Sequence, residues 1–146
     1  MTILKGRPVL KGMASGTALV TRMPINITAS FTKLANLTRG KRSQIQDRHH
    51  ELFKKRIKGT VLVFPETIGS TYAGMVFLDL IFQKQAPSGI IVKKADSLLV
   101  SGAILSDVWF GKGIPIVEYE PDDLFDKIHD GSRVKVDGDT GEITIL

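Results

Sequence analysis

The sequence predicts an α/β fold formed by a single domain over residues 1–146. Apolar runs of strand length at residues 60–64, 89–92 and 113–119 alternate with helical patterns, an order typical of βαβ units around a parallel sheet. The chain ends in two alternating stretches separated by a Gly-Asp-Thr-Gly turn, which indicates a hairpin. An apolar share of 42% and a charged share of 24% are ordinary for a folded protein.

The first part of the chain carries weaker signals. Residues 18–20 (ALV) predict an early strand. Residues 26–30 leave two alternatives open, a loop or the start of a helix, and residues 32–37 could add a short helical turn. Residues 39–50 are polar and are expected to form an excursion outside the sheet.

The middle of the chain predicts a strand and two helices, the first of them buried. Residues 60–64 (TVLVF) are mostly apolar and β-branched and end at Pro65, which favours a strand buried on both faces. Residues 71–84 follow a helical pattern but are apolar on nearly every side, so we expect this helix to be buried in its own domain or against another chain. Residues 97–106 form a second helix candidate, in which Gly102 allows close approach.

The last part of the chain predicts two more strands, a short helix and the hairpin. The strands are residues 89–92 and 113–119, and acidic residues near Pro121 favour a short helix to about residue 129. The hairpin pairs residues 133–137 with residues 142–146.

Composition excludes several functional classes. The chain has no cysteine, which excludes a disulfide framework and excludes thiolate ligation of zinc or an iron–sulfur cluster by this chain. No apolar run approaches the roughly 18 to 20 residues that span a bilayer. The first residues lack the apolar core and cleavage site of a secretion signal, so a cytoplasmic protein is expected.

The formal charge of +5 is unevenly distributed. A basic cluster lies between residues 39 and 58 and is opposed there only by Asp47 and Glu51. Such a cluster can bind nucleic acid or an anionic ligand, or form a solvated or partner-facing surface. The single aromatic residue Phe53 counts against a nucleic-acid-binding module, because stacking surfaces are missing. The basic residues are Arg39, Lys41, Arg42, Arg48, Lys54, Lys55, Arg56 and Lys58.

A loop rich in hydroxyl groups separates the strand at residues 60–64 from the following helix, and Ser70 lies at its centre. One interpretation is structural, because a serine or threonine before a helix caps a free backbone amide. Another is chemical: a serine between a strand's carboxyl end and a helix's positive end can bind an anion, or act as an alkoxide beside a strong positive charge. The loop lacks the G-x-S-x-G pattern, and no histidine is placed by sequence to activate Ser70. The site therefore looks incomplete within this chain.

Long segments of the chain resemble the small subunit of aconitase X. The match is strongest from residue 57 onwards and in residues 6–21 (GRPVLKGMASGTALVT). The segments that carry it are KGTVLVFPETIGSTYAGMVFLDL, QAPSGIIV, AILSDVWFGKGIPIVE and DGSRVKVDGDTGEITIL.

The resemblance implies a fold, a partner and a chemistry. The family's small subunit is a swivelling β/β/α domain, similar to the mobile fourth domain of aconitases, that closes over a large subunit holding an iron–sulfur cluster. The family's proton-abstracting serine falls on Ser70, and Gly69 and Thr71 would assist in binding a small carboxylate substrate. The chain would be a hydro-lyase subunit, active only with the large subunit, with no metal of its own and no membrane or nucleic-acid partner.

Two substrates are known in the family, cis-3-hydroxy-L-proline and phosphomevalonate. Residues 23–54 depart from the Gly-Gly-Val-Asp-Pro-like stretch of many small subunits, which puts the substrate in doubt. No phosphate-binding arrangement is evident near Ser70, so the sequence favours cis-3-hydroxy-L-proline, dehydrated to 1-pyrroline-2-carboxylate, with phosphomevalonate as the alternative. A phosphohistidine swivel domain would need a histidine in this loop, and a purely structural subunit stays a further alternative.

Overall fold

The computed structural model describes residues 1–38 and 40–146. Arg39, the first member of the basic cluster, lies outside the described residues. The strands are β1 (Thr2–Lys5), β2 (Arg7–Leu10), β3 (Met13–Val20), β4 (Ile25–Asn26), β5 (Val61–Phe64), β6 (Thr67–Ile68), β7 (Gly89–Val92), β8 (Ile116–Glu118), β9 (Arg133–Asp137) and β10 (Glu142–Ile145). The α-helices are α1 (Ile27–Phe31), α2 (Ala73–Phe82), α3 (Ser97–Phe110) and α4 (Leu124–Lys127), and a 3₁₀ helix covers Leu34–Leu37.

Eight strands form one sheet in the order β1-β10-β9-β3-β5-β7-β8-β2, and β4 pairs with β6 separately. Strands β3, β5, β7 and β8 are parallel neighbours, as the alternating pattern predicted. Strands β1 and β2 lie at opposite ends of this order although only Gly6 separates them, so the sheet folds back on itself around an apolar core. We call this arrangement the barrel; among the described residues its two end strands are joined by the chain at Gly6 and not by a β1–β2 ladder. A Cβ at Gly6 would lie 2.6 Å from the Glu118 carbonyl oxygen, so the closure requires a residue without a side chain.

The parallel strands separate two apolar cores by simple alternation. In β5, Val61 and Val63 point into the barrel, whereas Leu62 and Phe64 pack towards the helices. All four residues of β5 are buried, which confirms the prediction of a strand covered on both faces. The result is a β/β/α arrangement: two walls of the barrel and a layer of helices outside one of them, the swivel-domain fold that the sequence predicted.

Helices α2 and α3 pack against each other through glycines. A Cβ added at Gly102 would overlap the backbone of Gly74 and lie 3.1 Å from its Cα atom. The prediction that Gly102 allows close approach is confirmed, and its partner is the backbone of α2.

Several elements differ from the sequence-based boundaries. Strands β1 and β2 were not predicted, because they are short edge strands with only Leu4 fully buried among them. Helix α3 continues four residues beyond residue 106, to Phe110. The excursion at residues 39–50 is not simply polar surface, because Ile45 and His50 are buried and Ile45 belongs to the core under the helices. No helix within the described parts of the chain is long and apolar enough to cross a membrane.

An ion pair fastens the strand that completes the barrel. The Nε atom of Arg7 in β2 donates to Oε1 of Glu118 in β8 at 2.9 Å, and the backbone amide of Ala95 donates to Oε2 at 2.8 Å. The hydrogen bond from Arg7 is the main reason that the pKa of Glu118 lies below its usual value, and the bond from Ala95 adds to it. Burial of the carboxylate acts in the opposite direction.

This arrangement makes a pH-dependent prediction for Glu118→Gln. A carboxylate whose pKa is lowered by folding stabilises the protein above its unfolded pKa, and that contribution disappears as the pH falls through the folded value. We expect Glu118→Gln to lower the free energy of unfolding by about 1 kcal/mol at pH 7. The difference from wild type should shrink below about pH 4, near the ordinary glutamate pKa.

Urea denaturation between pH 3 and pH 8 measures this difference. Glu120→Gln is the matched control, because Glu120 is exposed and lies two residues further on. A Glu118→Gln effect of constant size across the pH range would contradict the prediction.

Candidate active-site turn at Ser70

A short strand, β6, lies between β5 and Ser70, and it pairs with β4. After β5 ends at Phe64, Thr67–Ile68 pairs in parallel with Ile25–Asn26, in the register Asn26 opposite Ile68. The backbone amide of Ile25 also donates to the carbonyl of Glu66 at 3.0 Å. The turn that follows is therefore anchored to the segment before α1 and not only to β5.

The backbone of Gly69 has a conformation that other residues rarely adopt. Its φ angle is +109°, and a Cβ at this position would lie 2.5 Å from Oδ1 of Asn26. Both facts favour glycine: positive φ is strained for a residue with a side chain, and Asn26 occupies the space that a side chain would need. The direction in which the chain presents Ser70 thus depends on Gly69 and Asn26.

The hydroxyl group of Ser70 is half-buried at the start of α2. Its Oγ atom accepts a hydrogen bond from the amide of Tyr72 at 3.1 Å, and its carbonyl accepts one from Ala73 at 3.1 Å. This bond closes a local serine turn just before the helix, whose N-cap residue is Tyr72; the prediction that Ser70 or Thr71 caps the helix is wrong, because α2 has no side-chain cap. Oγ can still accept a second hydrogen bond and donate one, because a hydroxyl group has two lone pairs and one proton.

One side-chain packing contact and one side-chain hydrogen bond connect the starts of three helices around this turn. Asn26 caps α1 by accepting from the amide of Ala29 at 2.9 Å, while its side chain packs on Gly69. The Thr67 hydroxyl bonds to Asp96, which caps α3 by accepting from two amides of its first turn. The positive ends of α1, α2 and α3 are therefore linked through the residues flanking Ser70.

Gly69 and Thr71, the predicted substrate-binding residues, are both exposed beside Ser70. Among the described residues, the backbone amides of Ser70 and Thr71 donate to no other group. Two free amides at the start of a ten-residue helix can receive an anionic oxygen, such as a substrate carboxylate.

The turn contains no acid–base partner for Ser70. His49 and His129 are exposed, and His50 is buried, with its Nδ1 atom accepting from the Leu52 amide at 3.0 Å. Within the described residues, no histidine, lysine or arginine side chain hydrogen-bonds to Ser70. A positive charge strong enough to stabilise an alkoxide would have to come from outside this chain.

An iron–sulfur cluster does not fit the residues of this chain. The sequence has no cysteine, and the described residues include no group of three or more metal-ligating side chains. The side chains closest to Ser70 in the sequence carry hydroxyl groups or are apolar, and none of them is a ligand that such a cluster uses.

Asn26 is the residue of this turn whose contact the sequence analysis missed. An asparagine directly before a helix is a recognisable cap signal, and the structure confirms that residues 26–30 start a helix. Its contact with Gly69 joins segments more than forty residues apart in the sequence, and no local pattern indicates it.

Comparison with known proteins identifies the class of this domain. A family profile described as "Aconitase X swivel domain" matches residues 3–145. One chain of the crystal structure of Thermococcus kodakaraensis aconitase X in its holo-form superimposes with a TM-score of 0.83 at 32% identity, covering 100% of this chain and 99% of that chain.

Curated relatives extend the comparison. The phosphomevalonate dehydratase small subunit of Thermococcus kodakarensis is 32% identical over 143 residues, 98% of this chain and 96% of the relative. The corresponding subunit of Methanosarcina mazei is 33% identical over 142 residues, 97% of this chain and 90% of the relative. The chain belongs to the aconitase X swivel-domain family. It is the small subunit of an aconitase X-type dehydratase, a hydro-lyase, as the sequence predicted.

The contact between Gly69 and Asn26 yields a prediction for Gly69→Ala. The new methyl group would have to displace Asn26, so we expect a loss of about 1–3 kcal/mol in unfolding free energy. Displacement of Ser70 should also lower kcat at least about tenfold, because small errors in position are costly in catalysis.

Gly111→Ala is the matched control for this measurement. Gly111 also has a positive φ, +64°, but a Cβ there would meet nothing within 4 Å. The unfolding free energy of Gly111→Ala should fall only by what a positive φ costs a residue with a side chain, about 1–2 kcal/mol. Its kcat should be unchanged. Equal kcat values for the two variants would show that Asn26 does not position Ser70.

Proposed function

We propose that residues 1–146 form one functional unit, the small subunit of a phosphomevalonate dehydratase that is active only when assembled with its large subunit. The substrate assignment is supported by the relatives, which match 97–98% of this chain and are named phosphomevalonate dehydratase small subunits. These relatives favour the alternative substrate over cis-3-hydroxy-L-proline, which the sequence analysis preferred. That preference relied on missing phosphate ligands near Ser70, yet a large subunit can supply such ligands.

The mechanism assigned to this chain is proton removal by Ser70. Phosphomevalonate carries a carboxylate, and its dehydration takes a proton from the carbon beside that carboxylate and a hydroxyl group from the next carbon. Ser70, as an alkoxide, accepts the proton through Oγ. The electron pair of the C–H bond forms the carbon–carbon double bond, and the hydroxyl group leaves as water after taking a proton from an acidic group that we assign to the large subunit.

The observation that supports this role is the hydrogen bonding of the turn. The Tyr72 amide already donates to Ser70 Oγ at 3.1 Å, and a donor in this position stabilises negative charge on the oxygen. The partial positive charge at the start of α2 also stabilises negative charge on Oγ. The neighbouring free amides, with Gly69 and Thr71 exposed beside them, would bind the substrate carboxylate.

The large subunit supplies what the turn lacks. We assign to it the iron–sulfur cluster, the groups that take the leaving hydroxyl, the phosphate ligands and the positive charge near Ser70. This division agrees with the absence of cysteine from the present chain.

Ser70→Ala in the assembled enzyme tests the catalytic role. We expect kcat to fall by about 10²–10⁴-fold, which is the usual contribution of a general base. Assembly with the large subunit should be unchanged, and loss of the hydrogen bond from the Tyr72 amide should cost about 1 kcal/mol of stability.

Ser132→Ala is the matched control, because Ser132 Oγ also accepts from a nearby backbone amide, that of His129 at 3.2 Å. It should lose similar stability and keep full turnover. Near-normal kcat in Ser70→Ala would support a purely structural small subunit instead.

The substrate assignment is tested separately, with both candidates. The purified two-subunit enzyme should dehydrate phosphomevalonate with kcat/KM at least about 10³-fold above that for cis-3-hydroxy-L-proline, because sites built around polar groups reject analogues that lack them. The reverse preference would restore the hydroxyproline assignment.

A further inference from the structure

A groove runs along α2 on the side that faces α1 and the 3₁₀ helix. One cleft, of about 460 Å³, is lined by Thr28, Tyr72 and Met75 among others. A second, of about 520 Å³, is lined by Leu34, Leu37 and Gln83 among others. Thr32, Arg42 and Asp79 belong to both linings, so the two clefts adjoin at the Arg42–Asp79 ion pair. We name these two adjoining clefts together the α2 groove; from Tyr72 to Gln83 it extends roughly 16 Å at the rise of an α-helix.

Both banks of the α2 groove expose large apolar side chains. Leu34 and Leu37 are 85% and 78% exposed on one bank, and Tyr72 and Met75 are 70% and 57% exposed on the other. Isolated exposed apolar residues need no explanation, but four of them around one groove indicate an interaction site.

The bank formed by Leu34 and Leu37 is held rigidly. Asn36 lies between them with its side chain buried, and its Nδ2 atom donates to the carbonyls of Lys41 at 3.0 Å and Gln44 at 2.8 Å. Its Oδ1 atom accepts from the amide of Lys33 at 3.0 Å. A buried and fully bonded anchor therefore presents two leucines to solvent. Such preorganisation lowers the entropic cost of binding a partner.

The charges of the groove favour an acidic partner. Asp79 is neutralised by Arg42, whose Nη2 atom lies 2.6 Å from Oδ2. Lys33 has no ion-pair partner among the described residues, and Lys41 is exposed just beyond the groove. In addition, Oγ1 of Thr28 is shielded from solvent without a hydrogen-bond partner in the described structure, so an occupant could satisfy it.

The groove begins at the catalytic turn. Tyr72 lines the end of the groove nearest the start of α2, and the amide of the same residue donates to Ser70 Oγ. Any chain that completes the chemistry at Ser70 is therefore already at one end of the groove. A second copy of this chain bound there would block access to Ser70.

We propose that the large subunit inserts a segment with apolar and acidic side chains into the α2 groove, with Leu34 and Leu37 as its main contacts. This inference rests on the proposed function, because the occupant is the subunit that supplies the remaining catalytic groups. It also gives a role to residues 23–54, the region that departs from the family pattern: their exposed leucines and basic residues form one bank of the interface and match the chain to its own large subunit.

The test is the affinity of the small subunit for the purified large subunit, measured by isothermal titration calorimetry. The double variant Leu34→Ala/Leu37→Ala should weaken Kd at least about tenfold, because central apolar contacts dominate interface energies. The double variant Ile3→Ala/Met13→Ala is the matched control; its two residues are 54% and 55% exposed on the barrel strands, and its Kd should stay within about twofold of wild type. Lys33→Glu should weaken Kd more at low salt than at high salt.

Each outcome separates this inference from the proposed function. Weaker assembly with a normal kcat at saturating small subunit supports it. An unchanged Kd with raised KM would overturn it and assign the groove to the substrate. An unchanged Kd with a change only in the self-association of the small subunit would overturn it in favour of a second copy. In all three cases Ser70→Ala should still lose kcat, because that variant leaves the groove intact and tests only the catalytic role.

Discussion

The packing of Gly69 against Asn26 is the constraint on which the proposed site depends. Gly69 adopts a positive φ angle directly after β6, and the Asn26 side chain fills the space where a Cβ would lie. Because Asn26 also caps α1, the same side chain fixes a helix and the turn before Ser70. The hydroxyl group of Ser70 is therefore positioned by a contact between distant segments, on a platform of strands and helices rather than on a free loop.

The barrel and the helix layer give the turn at Ser70 a rigid support. Strands β5 and β7 are buried on both faces, and α2 and α3 approach each other through backbone contact at Gly74 and Gly102. Within residues 1–38 and 40–146, Ser70 nevertheless hydrogen-bonds to no titratable side chain, and no cluster of metal-ligating side chains is present. A rigid but incomplete half-site is what a subunit requires if it closes over chemistry that another chain carries.

The sequence predicted those features that depend on local patterns and missed those that depend on contacts between residues far apart in the chain. The parallel strands and α2 were predictable because β5 and β7 are short apolar runs, β5 ending at Pro65 and β7 following Pro87-Ser88. Ser70 was predictable as a candidate site residue, because a glycine and a serine lie between a buried strand and a helix. Strands β1 and β2, the closure at Gly6 and the role of Asn26 were not, since each depends on pairing or contact between residues far apart in the chain. The family resemblance supplied the class of reaction, but not the substrate.

A structure of the two-subunit enzyme with substrate or product bound would test the central claim most directly. The account predicts that Ser70 Oγ lies about 3–3.5 Å from the carbon beside the ligand's carboxylate, with the turn facing the large subunit. An Oγ atom that points to solvent or into the interior of this chain, well beyond contact with the ligand, would contradict it.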